Sequence, residues 1–307
     1  STAGDGGDGG LNGTGGAVGG KGGGGGNSTF WKVAGQQSTD EANSGGNGAD
    51  GGNGSAPGVG GTGNGGAGGN GGIGLGMAEG MAQAGCDLVI WGGNPDKNAT
   101  AEKKLSAYGR KVLVQKVNVA DEAQVETAMA EAISKMGRID GCFANAGVSG
   151  RGPSFLEMTQ GEWHRVLRVN LDGACYTFRA AARHMVARGD GGTLVGTASL
   201  AAIEGQARGE HYAATKGAMI SMIRALAVEF ARYKVRANAV LPGWIDTDMT
   251  SRWFANETFR DKVLPRVPVR RWGEAADFGG IAVYLMSDAS RYHTGDTFVI
   301  DGGYSIF

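Results

Sequence analysis

Cysteine is scarce. Cys86, Cys142 and Cys175 are the only three, an odd number, widely spaced and set among apolar neighbours. Such a set does not make a disulfide framework, and buried free thiols in a reducing compartment are expected. Charge of one sign is lacking too. With Lys+Arg 29 against Asp+Glu 30 and no basic cluster, there is no source of the counterion release that drives nucleic-acid binding, and neither nucleic acid nor an anionic membrane is expected as partner. No run approaches the ~18 apolar residues of a membrane span. No charged stretch followed by an apolar one opens the sequence, so a soluble, cytoplasmic protein is expected. His164, His184 and His293 show no metal-ligand spacing with one another or with the cysteines, so no metal site is expected.

Aromatic and β-branched residues are nearly missing from residues 1–27 and 43–72, which are rich in Gly, Asn, Ala, Asp and Ser. Segments of that composition bury too little apolar surface to offset their ordering entropy. More than half of the 60 glycines fall before residue 77, while hydrophobic content of 41% and charged content of 19% are globular values for the chain as a whole. Two regimes are therefore joined: a Gly-rich segment over residues 1–67 and one domain over 68–307. One apolar island, "TFWKVAG" at 29–35, interrupts the first regime and has the composition of a short strand. From Asn64 to Ile73 the glycines keep a Gly-Gly-X register, with Asn64, Ala67, Asn70 and Ile73 as X.

From Ile73 onward strands and helices alternate. "GLGMAEGMAQAG" reads as an amphipathic helix ended by Gly85, and "DLVIW" (87–91) and "KVLVQKV" (111–117) as strands. Val125, Met129 and Ile133 form one apolar stripe on a helix that stops at Gly137. "IDGCFANAG" (139–147) is a strand running into a turn, and Thr159 with Glu162 makes a capping box for the next helix. Further strands are "GTLVGTAS" (192–199), "VRANAVLPG" (235–243) and "TFVID" (297–301), with a long helix over 212–234 between the first two. This β–α alternation predicts an α/β fold, a doubly wound parallel sheet of Rossmann type covered by helices on both faces.

A Gly-rich turn that opens a helix presents unpaired backbone N–H groups to a pyrophosphate, and Gly68, Gly72 and Gly74 have that spacing, with Ile73 placed to pack under the sheet. Downstream, Tyr212 and Lys216 lie at i and i+4, on one helix face. Ser199 ends a strand thirteen residues earlier. A tyrosine is a poor acid or base at neutral pH, but a lysine ammonium and a bound cationic nicotinamide stabilise its phenolate. Tyr212 then exchanges a proton with a substrate oxygen, Ser199 hydrogen-bonds the same oxygen, and Asn170 in "VNLDG" holds a water that relays protons.

Gly68-x-x-x-Gly72-Ile73-Gly74, "ANAG" at 144–147, Asn170, Ser199, "YAATK" at 212–216 and "PGWIDTDM" at 242–249 together resemble the short-chain dehydrogenase/reductase family over residues 68–307. The resemblance implies a catalytic tetrad of Asn170, Ser199, Tyr212 and Lys216, with Lys216 also binding the nicotinamide ribose. It implies a cofactor site of Gly68, Asn70, Gly72, Ile73 and Gly74, of Gly93, Asn118 and Val119 near the ends of the second and third strands, and of Asn145, Ala146 and Gly147. Pro242, Gly243, Ile245 and Thr247 complete that site, the last two at the nicotinamide carboxamide.

Departures from the family pattern are local. Ala67 stands in place of a bracing threonine, Ala144 in place of the first asparagine of "NNAG", and Asn118 in place of an aspartate at the adenine. Before the turn the family has a β-branched central strand and this chain has "GTGNGGA"; either that strand forms poorly, or "FWKVA" at 30–34 replaces it through a long loop, or the segment is foreign to the domain. Gly92 and Gly93 occupy the places of the acidic residue that selects NAD and the arginine that selects NADP. With no carboxylate to repel a phosphate and Lys97 nearby, NADP is favoured over NAD.

Glu204, His211, Trp244, Trp253 and Phe254 are expected to line the substrate pocket, and the aromatics suit an apolar or ring-shaped alcohol or ketone. The expectation is an NAD(P)-dependent oxidoreductase moving hydride between nicotinamide and a secondary alcohol or ketone. The alternative is a Gly-rich interaction protein with an impaired dehydrogenase-like scaffold. Met219, Met222, Ile223, Leu226 and Phe230 give the long helix more apolar surface than one core contact uses, and in the family such helices pack between subunits, so a homo-oligomer, tetramer or dimer, is expected.

Overall fold

In the inner strands apolar residues face both ways, which a sheet tolerates only when helices cover both sides. The computed structural model describes residues 72–150 and 154–307 and the backbone of residues 29–33. Its seven strands are β1 (Thr29–Val33), β2 (Asp87–Gly92), β3 (Val112–Lys116), β4 (Gly141–Ala144), β5 (Gly192–Thr197), β6 (Val235–Pro242) and β7 (Thr297–Ile300). They form one sheet in the order β3-β2-β1-β4-β5-β6-β7, all pairs parallel. The order reverses beside β1, the switch point of a doubly wound sheet. β1 runs in register from Thr29 opposite Asp87 to Val33 opposite Trp91, and pairs with Gly141 to Phe143 on its other side.

The helices are α1 (Ile73–Gln83), α2 (Pro95–Ser106), α3 (Glu122–Met136), α4 (Gln160–Leu167), α5 (Gly173–Arg188), α6 (Glu210–Phe230), α7 (Ser251–Phe254), α8 (Glu257–Val263) and α9 (Gly279–Met286). Alternation along the strands divides the interior in two. Val89 and Trp91 of β2, Cys142 of β4 and Leu194 of β5 join the core under α3, α5 and α6. Leu88, Ile90, Phe143 and Val195, one residue out of step, join the core under α1, α2 and α9.

Local signals set the helix ends. Asn94 accepts from Asp96 N and Lys97 N with Pro95 at the first helical position, and Asp121 accepts from Gln124 N. Thr159 accepts from Glu162 N as expected, while the Glu162 carboxylate turns to Arg165 and His211. α2 is absent from the periodicity reading because Asn98, Ala101 and Leu105 alone are buried on it. All three cysteines are free, and burial pushes the thiols of Cys86 and Cys142 up, Cys86 to about 12. Among the described residues no helix is long and apolar enough to cross a membrane, and no group of His, Cys, Asp or Glu is disposed to hold a metal.

α1 crosses the chain around α9 at backbone contact. A Cβ on Gly76 would overlap the Ala275 carbonyl, and one on Gly80 would lie 2.5 Å from Gly279 Cα. Alanine gains roughly 1 kcal/mol over glycine within a helix, but forced overlap in a packed interior costs about 1–3 kcal/mol or more. Overlap with backbone therefore wins. Gly80→Ala and Gly76→Ala are expected to lower the urea midpoint with an unchanged slope; a raised midpoint in either would show that the crossing has slack.

Candidate active site

The carboxyl ends of the strands and the N-terminus of α1 face one cleft of about 410 Å³. Gly72 caps α1 without a side-chain hydrogen bond, and Gly72 and Ile73 line the cleft. The N–H groups at the start of a helix have no partner within the helix itself, an arrangement that suits an anion. Gly147 lies deeper. A Cβ there would come 3.3 Å from Asn170 Oδ1, a tight approach, and 3.6 Å from Lys216 Nζ, so the backbone passes close against both side chains.

Ser199 follows β5 and its hydroxyl accepts from Ala201 N at 3.2 Å. It is also hydrogen-bonded to the Tyr212 hydroxyl. Tyr212 and Lys216 leave α6 on the same side, and Lys216 Nζ sits 5.5 Å from the centroid of the Tyr212 ring. The ammonium, 4% exposed, donates to Thr197 O at 2.7 Å. Burial lowers the Lys216 pKa from 10.5 to about 8. Burial also pushes the Tyr212 hydroxyl above its ordinary value, and the Ser199 hydrogen bond pulls it part of the way back. In this site an added positive charge acts on Tyr212 with little water to screen it.

Asn170 is buried beneath the cleft rather than on its wall. It sits in a π-helical turn, Arg168–Asp172, between α4 and α5. Its Oδ1 accepts from Val148 N at 2.8 Å, and its Nδ2 donates to Val148 O at 3.0 Å and to Thr215 Oγ1 at 3.2 Å. Thr215 in turn donates to Tyr212 O at 2.7 Å. The side-chain amide of Asn170 thus ties the loop after β4 to α6. Both its amide hydrogens have protein acceptors.

Of the other expected residues, Asn145, Pro242, Gly243, Ile245, Thr247, Glu204, Trp244 and Trp253 line the cleft. Two of the expected substrate-pocket residues, His211 and Phe254, are not among those lining the cleft. His211 is fully buried with its Nε2 3.1 Å from Glu162 Oε1, and Phe254 is stacked on Trp272 with centroids 4.1 Å apart. Neither reaches the cleft wall, because His211 leaves α6 about 100° from Tyr212 and Phe254 turns inward to an aromatic neighbour. Gly74, Gly93, Asn118, Val119 and Ala146 flank the cleft in sequence without lining it. Asn118 is exposed and accepts from Ala120 N, and Val119 is buried. Gly68 and Asn70 lie outside the described residues.

Sequence reasoning missed Asp248, Ser149 and Gly150, which line the cleft, and the contact of Lys97 with Asp248. That ion pair, at 2.6 Å, joins the first turn of α2 to the loop after β6 across the cleft. No local pattern marks it, since its members stand 151 residues apart. A second depression of about 470 Å³, between β3 and α3, contains none of the expected site residues.

Comparison with known proteins gives the same assignment. The family model described as enoyl-(acyl carrier protein) reductase matches residues 66–305. The chain is 33% identical over 232 residues to 2-dehydro-3-deoxy-D-gluconate 5-dehydrogenase of Escherichia coli K12, covering 76% of this chain and 90% of that protein. It is 36% identical over 237 residues to the NADP-dependent mannitol dehydrogenase of Hypocrea jecorina, covering 76% and 87%. The crystal structure of gluconate 5-dehydrogenase from Burkholderia cenocepacia J2315, in complex with NADP and tartrate, superposes with a TM-score of 0.73 at 34% identity, covering 77% and 92%. With the strand order, the cleft at its switch point and the Ser199–Tyr212–Lys216 cluster inside it, these matches place the chain in the short-chain dehydrogenase/reductase family, as an NAD(P)-dependent oxidoreductase acting on alcohol or ketone groups.

Proposed function

We propose that the protein is an NADP-dependent dehydrogenase of polyhydroxylated secondary alcohols, or a reductase of the matching ketones. The observation that carries this reading is the Ser199–Tyr212–Lys216 cluster beside the open N-terminus of α1. Gly72 and Ile73 hold the pyrophosphate, Lys216 holds the nicotinamide ribose, and Ile245 and Thr247 hold the carboxamide. The bound nicotinamide supplies the acceptor or donor of hydride.

Tyr212 does the proton chemistry. In the oxidising direction its phenolate takes the proton of the substrate hydroxyl while Ser199 donates a hydrogen bond to the same oxygen. The Lys216 ammonium favours the phenolate, opposing the burial that raises the Tyr212 pKa. Asn170 acts as a positioning residue: it ties Val148 to Thr215, and through Thr215 to the carbonyl of Tyr212. Glu204 faces the cleft beside Trp244 and Trp253. A carboxylate accepts from substrate hydroxyls and an indole packs on C–H groups, a pairing that suits a polyol and agrees with the sugar-derived names of the relatives.

Gly92 and Gly93 put no carboxylate at the end of β2, and Lys97, which a phosphate would have to share with Asp248, supplies a cation at the cleft, which supports NADP over NAD. The same reading makes the protein a cytoplasmic homo-oligomer. Val228, 83% exposed on α6, is apolar surface for a second copy to cover. Met219 and Ile223, by contrast, are buried in the protein's own core, with Met222, Leu226 and Phe230 packed against it.

Titrating NADPH and NADH by fluorescence is expected to give tighter binding of NADPH, with Lys97→Ala weakening NADPH alone by about tenfold, the size of one charge-assisted hydrogen bond. Binding of neither cofactor overturns the enzyme reading. Tyr212→Phe is expected to cut turnover of a hexitol by about 10³-fold with cofactor affinity retained; turnover near wild type would remove Tyr212 from its role. The buried Lys216 carries a stability cost whose sign is fixed by its titration. The folded state holds the lysine near 8 against 10.5 when unfolded, so the unfolded chain binds more protons between those values and stability rises with pH across that window. Lys216→Met is therefore expected to raise the melting temperature at pH 7, and the gain should shrink as pH climbs from 8 to 10.5.

A further inference from the structure

Behind the cleft wall lies a cluster that the proposed chemistry does not use. His211, adjacent to the acid–base tyrosine, is 0% exposed, its Nε2 3.1 Å from Glu162 Oε1. Glu162 accepts from Arg165 Nε at 2.7 Å and from Arg165 Nη2 at 2.9 Å. Arg165 Nη2 also donates to Ser149 O at 2.9 Å. Gly150 backs onto the imidazole: a Cβ there would overlap Cε1 and lie 2.5 Å from Nε2. Ser149 and Gly150 are themselves cleft wall.

We propose that His211, Glu162 and Arg165 are positioning residues that fix the Ser149–Gly150 wall of the substrate cleft relative to Tyr212. The network reaches the wall at two places. Arg165 holds it by the Ser149 carbonyl, and the imidazole supports it as a flat surface under Gly150. Both supports meet at the Glu162 carboxylate, so α4 serves as the bracket between the loop after β4 and the first turn of α6. A simple packing role would not call for these groups. Among the described residues His211 Nδ1 is buried without a hydrogen-bond partner, which costs free energy that an apolar side chain of similar size would avoid. What the imidazole adds is a directed bond to Glu162. Because His211 and Tyr212 are consecutive on α6, one helix turn carries both the support of the Ser149–Gly150 wall and the phenol that faces it across the cleft.

The proposal rests on the dehydrogenase reading for its kinetic test but has a readout independent of turnover. His211→Ala and Gly150→Ala are each expected to raise the substrate KM about tenfold, a loss of one well-placed contact. Kd for NADPH and the pH dependence of kcat, which belongs to Tyr212, should stay within about twofold. The decisive variant is the double one. With the imidazole gone the added methyl has room, so Gly150→Ala/His211→Ala should be no worse than His211→Ala alone, a strong non-additivity expected only of groups in contact. Hydrogen exchange of the 147–150 amides should quicken in Glu162→Gln and His211→Ala, with the amides of β5 and β6 unchanged. Multiplicative effects of the two substitutions on KM, or unchanged exchange at 147–150, overturn the proposal. If wild-type protein shows neither cofactor binding nor turnover, the functional reading falls, and the exchange result decides the network by itself.

Discussion

The bond from the Lys216 ammonium to the Thr197 carbonyl is the constraint around which the site is arranged. It fixes a cation at the end of β5, where backbone carbonyls of a parallel sheet converge, and its burial there brings the lysine down from 10.5 to about 8. Every other element answers to that charge. Tyr212, one turn earlier on α6, shares its side of the helix; Ser199, two residues past Thr197, reaches the phenol; the Gly147 backbone lies close against the ammonium and Asn170. The ammonium keeps one protein acceptor in return for its lost solvation, the Thr197 carbonyl.

Around this centre the hydrogen bonds form two tiers. The inner one, Asn170 with Val148 and Thr215, ties the π-turn to the helix that carries Tyr212. A π-turn inserts one residue into a helix and re-aims the residues beyond it, and here it lets one amide meet both the backbone of the loop after β4 and the Thr215 hydroxyl. The outer tier, Glu162 with Arg165 and His211, ties the next two residues of that loop to α4. Successive loop positions are thus held from opposite sides, which keeps a cleft wall made mostly of backbone from depending on side-chain packing for its shape.

Periodicity made the sheet, its helices and the tyrosine–lysine face legible in the sequence. Tyr212 and Lys216 at i and i+4 can only share a face, and Val125 with Met129 can only form one stripe. What the sequence did not disclose depends on tertiary direction. His211 stands beside the reactive tyrosine in the chain and on a different side of the helix, so adjacency misleads where spacing by four does not. Phe254 has the composition of a pocket residue, but stacking on Trp272, which sequence separation hides, claims it. Asn170 was identifiable as part of the site but not as a strut, because its partners Val148 and Thr215 come from two other segments. Lys97 and Asp248 meet only because the ends of β2 and β6 open onto one cleft.

The N-terminus of α1 reaches the cleft on a helix that must itself be held in place. In a doubly wound sheet the phosphate-binding helix is ordinarily placed by a short turn from the central strand. Here residues 34–72 lie between β1 and α1. The helix has another anchor. Gly76 and Gly80, one turn apart, bring its backbone against Ala275 and Gly279, and Met77, Met81 and Ala82 enter the core shared with Phe278, Ala282 and Leu285. That face is fixed from the C-terminal part of the chain, beyond Trp244 and Ile245 of the cleft. The position of the N–H groups at Gly72 and Ile73 is then set by a helix packed along its length on α9 and the turn before it, which keeps that end of the cleft in register with the end formed by Trp244 and Ile245.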